Sequence, residues 1–130
     1  MKKSPFLLLL TLSMLSFGQM PDFGIRDVMV LPDGFIALRI ENSSSQDFAL
    51  PVPLRDSLFL SLAINGVKRA EYKSKAIDPT IFLKNSFIVF KTNFRVGRPL
   101  RIKVELNGEK AIPETDFSNN VLEKELRPES

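Results

Sequence analysis

Four side chains bearing acceptor oxygens, Glu114, Asp116, Asn119 and Asn120, fall within seven residues of one another. Hard cations such as calcium bind through carboxylate and amide oxygens, so this cluster is the candidate metal site of the chain. Its spacing is not that of a known calcium loop. The same residue types also bond nearby backbone amides and fix turns. Pro113, which has no amide to donate, stands at its start. The reading adopted is structural: a metal-free corner ahead of a last strand, with Asp116 and Asn119 satisfying its local amides.

A second segment has the composition of a contact surface. Phe48, Leu50, Pro51, Val52, Pro53 and Leu54 place apolar groups in a stretch whose two prolines keep it out of a central strand. A contiguous exposed apolar patch marks an interaction site; alternatively, Phe48 and Leu54 fold back and close one end of the domain. Either way, Pro51 and Pro53 hold an extended ridge. These six residues are the candidate partner-binding set.

Other chemistry is thinly represented. The chain has no His and no Cys. That excludes Ser-His-Asp and Cys-His relays, zinc sites of the usual kind and a disulfide framework. None of the 15 acids stands in a recognisable catalytic motif. Phosphate-binding glycine loops are missing as well. No catalytic residue and no cofactor is therefore assigned, and the chain is read as a non-enzyme. Asn42-Ser43-Ser44 is a formal glycosylation sequon. Arg95, Arg98, Arg101 and Lys103 cluster in sequence, which a solvated strand face explains.

The 130 residues of the chain fit one domain. Met1-Lys2-Lys3 is a positive start, Phe6 to Leu15 is a short apolar run, and Ser16-Phe17-Gly18 offers small residues before a cut. That order is the secretory signal pattern. The run is too short for a membrane span of about 20 residues. Residues 1–18 are thus expected to be a signal peptide and 19–130 a single soluble domain, secreted or periplasmic. Once Lys2 and Lys3 are set aside with the leader, the formal charge of +3 falls to +1, a poor footprint for nucleic acid.

The hydrophobic period in the remainder is two, which means strands. They are expected at 23–30, 35–42, 58–64, 67–72, 79–83, 87–92, 100–106 and 120–126. Asn65-Gly66 between apolar runs is a two-residue hairpin signal. Leu60, Leu62, Ile102 and Val104 are expected in the core; Phe59 and Asn107 alternate onto the outer side. About seven short strands at regular spacing predict an all-β fold, an antiparallel sandwich of two sheets.

The stretch Ile112-Pro113-Glu114-Thr115-Asp116-Phe117-Ser118-Asn119-Asn120 resembles the close of CARDB, the cell-adhesion-related domain found in bacteria. Pro21-Asp22-Phe23, Ile40-Glu41-Asn42 and the strand from Leu100 to Leu106 fit the same family. Ser44 stands where the family usually has Gly, and Lys84-Asn85 replaces its frequent Pro-Gly turn. The resemblance implies an immunoglobulin-like sandwich of bacterial envelope or extracellular proteins, with no enzymatic activity and no single ligand. The function expected is an exported, noncatalytic binding or assembly module with a protein or glycan partner. The alternatives are a minimal envelope hydrolase on a β-sandwich and a purely structural envelope component.

Overall fold

The computed structural model describes residues 20–128. The proposed leader, residues 1–18, lies outside the described residues. Seven strands follow in order: β1 Phe23–Val30, β2 Phe35–Asn42, β3 Leu58–Ile64, β4 Val67–Lys73, β5 Ser86–Arg95, β6 Leu100–Leu106 and β7 Val121–Leu126. They form two antiparallel sheets, β1-β2-β5 and β4-β3-β6-β7. The architecture is the all-β two-sheet sandwich that the alternation predicts, immunoglobulin-like as the resemblance implies.

The core lies between the sheets because each strand turns one apolar side inward. Ile36, Leu38 and Ile40 of β2 face Leu60 and Leu62 of β3 and Ile102, Val104 and Leu106 of β6, all fully buried. The four residues expected in the core are therefore there. Asn65 and Gly66 have φ of 51° and 84°, left-handed values that Asn and Gly tolerate, and they close the β3–β4 hairpin.

Two expectations are corrected. Pro79–Phe82 is a 3-10 turn, not a strand. Pro79 has no amide for a ladder, and the Asp78 side chain accepts from Thr80 N at 3.0 Å, capping the turn. The turn drives Ile81 and Phe82 into the core. Phe59, assigned to the outer side, is fully buried. The β3–β4 pairing shifts register between Leu58 and Leu60, and such an irregularity breaks the two-residue alternation. The Phe59 ring then packs edge-to-face on Phe23 at 5.0 Å and against Phe82 at 5.9 Å, a favoured aromatic geometry.

The two flanks of the sandwich are joined differently. On one, Lys124 of β7 donates to Asp27 Oδ1 and to the Val28 carbonyl of β1, at 2.9 and 2.8 Å. On the other, Tyr72 of β4 packs edge-to-face on Phe90 of β5 at 4.8 Å.

Candidate functional site

The corner before β7 is built around Glu114, which is buried. Its Oε1 accepts from Phe23 N at 2.9 Å. Its Oε2 accepts from Asn107 Nδ2 at 2.7 Å and from Asn120 Nδ2 at 2.6 Å. One carboxylate thus gathers donors from the start of β1, the end of β6 and the start of β7. Asn107 carries the network further. Its Nδ2 also donates to the Ile112 carbonyl, its Oδ1 accepts from Ile112 N, and its backbone amide donates to Phe59 O.

Alternation along β6 puts Asn107 on the outer side, and the structure does not. Its φ of 49° takes it out of the strand conformation and turns the side chain inward. The sequence signal is the pair Asn107-Gly108, whose Asn, like Asn65, tolerates left-handed backbone, although Gly108, unlike Gly66, does not adopt it.

The four candidate metal-ligating residues divide into two kinds. Glu114 and Asn120 are buried and Asp116 and Asn119 are exposed. Asp116 Oδ1 accepts from Ser118 N at 2.8 Å, the local turn bond expected of it. Asn119 acts through its backbone carbonyl, which accepts from Ile25 N. Its exposed side-chain amide lies over Gly24, 2.8 Å from where a Cβ would stand, and would swing aside for a larger residue there. Asn120, not Asn119, supplies the side-chain bonds, to Glu114 and to the Leu106 carbonyl.

Burial is the largest influence on the Glu114 carboxyl and raises its pKa above the ordinary value; the hydrogen bonds from Asn107, Asn120 and Phe23 oppose this, and the charge of Asp22 adds to it. Asp22 is raised too, chiefly by burial and then by Asp116. Asp22 Oδ1 and Asn120 Oδ1 are buried without a hydrogen-bond partner. Among the described residues, no group of three or more His, Cys, Asp or Glu is placed to hold a metal ion.

The candidate partner-binding segment lies at the end of the sandwich where Phe82 enters the core. Phe48 N donates to Phe82 O, and the two rings lie 6.3 Å apart. Phe48, Leu50 and Leu54 are half-buried against the core. Pro51, Val52 and Pro53 remain outside, and Val52 is 69% exposed. The ridge is not extended as expected: only Pro51 keeps extended backbone, and Val52–Asp56 winds into a 3-10 turn that Pro53 stiffens near its start. Thus the segment closes the end and also presents a ridge.

Beside the ridge is an open groove of about 380 Å³, whose apolar wall includes Phe48, Leu50, Ile77, Phe82 and Leu83. Leu83 is 48% exposed. Arg55 and Lys75 stand at its margin; Lys75 pairs with Asp56 at 2.7 Å. The second half of this groove comes from the Ser74–Leu83 segment, none of which is among the candidate partner-binding residues. A different depression, of about 550 Å³, lies on the outer face of β3, where Ser61 and Ala63 are low between Lys68, Lys103, Arg101 and Glu123.

Two other sequence features resolve as structure. Asn42 of the formal sequon is buried; its Oδ1 accepts from Asp22 N and Ser44 N, and its Nδ2 donates to the Leu83 carbonyl. The folded chain has no free amide there. The basic cluster is split: Arg95 ends β5 in one sheet, while Arg101 and Lys103 lie on the exposed face of β6 in the other.

No family model matches the chain, and no curated protein matches it. Solved structures do. The crystal structure of the CARDB domain of the PF1109 protein from Pyrococcus furiosus, in complex with di-metal ions, is similar over 84% of this chain and 94% of that one, with a TM-score of 0.54 and 13% identity. The solution structure of the same domain covers 83% of this chain and 94% of that one, with a TM-score of 0.47 and 16% identity. The chain has the fold of a CARDB domain, as the resemblance at its final corner implied.

Proposed function

We propose that this chain is an exported, noncatalytic binding or assembly module that engages a protein or glycan of the bacterial envelope or extracellular space. The observation that carries the reading is the exposed ridge Pro51–Val52–Pro53 beside the apolar groove closed by Leu83. Apolar surface of this kind, rimmed by charge, is where partners dock, and loops on a rigid sandwich are where such scaffolds carry function. The noncatalytic reading rests on the inventory: no His or Cys, and a buried acid whose oxygens both hold the backbone and side chains together. Adhesion is the role that CARDB folds suggest by analogy, and the leader supports export.

The metal ions of the similar crystal structure raise the question of a cation here. The corner offers oxygens, yet Glu114 already accepts three protein donors and Asp116 holds its own turn. We read the corner as structural and metal-free, although Asp22 Oδ1 and Asn120 Oδ1 have no protein donor there.

The test of the docking reading is a pair of variants, Val52→Asp and Leu83→Asp, compared with wild type as immobilised bait for envelope extract. Both positions are exposed, so melting temperatures should match that of wild type. A partner retained by wild type and lost by both variants supports the ridge and groove. Equal retention by all three removes them as the binding surface.

A further inference from the structure

We propose that the free edge of β5 pairs antiparallel with β5 of a second copy of this chain, joining two three-stranded sheets into one of six strands. β5 ends its sheet, so among the described residues one row of its backbone amides and carbonyls has no strand beside it. Such an edge is a template for pairing unless it is blocked by charge, proline or bulges.

The other three edges carry such blocks. β1 has a register break between Ile25 and Asp27 and is tied to Lys124. β4 has Lys68, Arg69, Glu71 and Lys73 along its length and two register breaks. β7 has Glu123, Lys124 and Glu125 in succession. By contrast, β5 runs Ser86-Phe87-Ile88-Val89-Phe90 with no charge and no proline. Its pairing with β2 is regular from Ser86 to Lys91, and the irregularity comes only beyond, near Phe35. On the outer face of this run, Phe87 and Val89 are 51% and 54% exposed.

The occupant is a second copy because the run is complementary to itself. Antiparallel pairing centred on Ile88 sets Phe87 opposite Val89 twice, once on each side of the two-fold axis. Aromatic and β-branched residues facing each other form a favourable cross-strand pair, and the two exposed apolar side chains of each copy cover those of the other. Ser86 falls opposite Phe90, and Lys91 opposite Asn85 past the end of the run, so no like charges meet. An isologous contact of this kind closes at two copies. The inference does not depend on the ridge or on its partner.

Sedimentation of the full chain over a range of concentrations tests it, with Val89→Lys and Phe87→Lys as edge variants and Val67→Lys, on the β4 edge and 59% exposed, as control. Far-ultraviolet spectra and melts confirm folding. The expected result is a reversible dimer for wild type and Val67→Lys, weakened at least tenfold in both edge variants. A monomer at every concentration overturns the proposal. So does association that the edge variants leave unchanged, as self-association through the apolar residues 6–15 would, or that Val67→Lys weakens equally.

Discussion

At the scale of single residues, Glu114 makes the final corner a polar lock inside an apolar sandwich. Buried acceptors or donors left without a partner cost about 1–3 kcal/mol each. Asn120→Ala should therefore destabilise the chain by about 1–3 kcal/mol, and Asn107→Ala by at least as much, because Asn107 also holds Ile112. Asn119→Ala, whose backbone carbonyl survives the change, should cost less than about 0.5 kcal/mol, in the range of ordinary surface substitutions. Denaturant titration of the three variants checks the order, and an Asn119 effect equal to that of Asn120 would contradict it. The carboxyl itself predicts a pH dependence. The folded state raises the Glu114 pKa above its ordinary 4.5, so the folded state holds the proton more tightly than the unfolded. The stability this contributes is fully present below about 4.5 and is lost as the pH rises through the raised value. Glu114→Gln removes the titration but keeps the shape. The cost of that substitution should thus be greatest in acid and shrink as pH rises above 4.5, measured as the difference between wild-type and variant melts across the range.

The elements owe their boundaries to a few local devices. The β3–β4 hairpin needs left-handed backbone at Asn65 and Gly66. A side chain at Gly66 meets no atom within 4 Å, so Gly66→Ala tests backbone conformation alone and should cost about 1–2 kcal/mol; a neutral result in denaturant would mean that the turn changes type at no cost. The Pro79–Phe82 turn shows how short apolar runs mislead. Pro-Thr-Ile-Phe-Leu reads as a strand by composition, but Asp78 and Pro79 together are the cap and first residue of a helical turn. Its product is the aromatic cluster of Phe23, Phe59 and Phe82. β3 was legible as a strand, yet which side Phe59 takes was not, because a register break has no signature in the period of two.

For the whole molecule, stability rests on one apolar layer, since no disulfide can supplement it. Leu62→Ala and Ile102→Ala sit at its centre and should each cost about 2–5 kcal/mol. A denaturant midpoint equal to wild type for both would contradict the packing described. The same global measurement reports on cations. A ligand bound only by the folded state raises the melting temperature as its concentration passes the dissociation constant. With the corner held by its own donors, millimolar calcium and excess chelator should give the same melt. A calcium-dependent rise that Asp116→Ala abolishes would make the corner a metal site.

The period of two, the turn residues and the missing His and Cys determined the fold class, the facing of Leu60, Leu62, Ile102 and Val104, and the thin reactive inventory. These follow from local rules, because strand alternation and turn chemistry act within a few residues. The sandwich alone decided that Asn107 belongs to the Glu114 lock, that Asn42 is spent on holding Leu83, that Ser74–Leu83 supplies the other wall of the ridge's groove, and that β5 ends a sheet. Asn107 and Glu114 are near neighbours in sequence, but the lock they share closes on β1, and Asn42 and Leu83 are 41 positions apart. Glu114 and Phe23 are 91 positions apart, and no periodicity within one segment specifies which segments meet; that is set by how two sheets stack to bury their apolar faces.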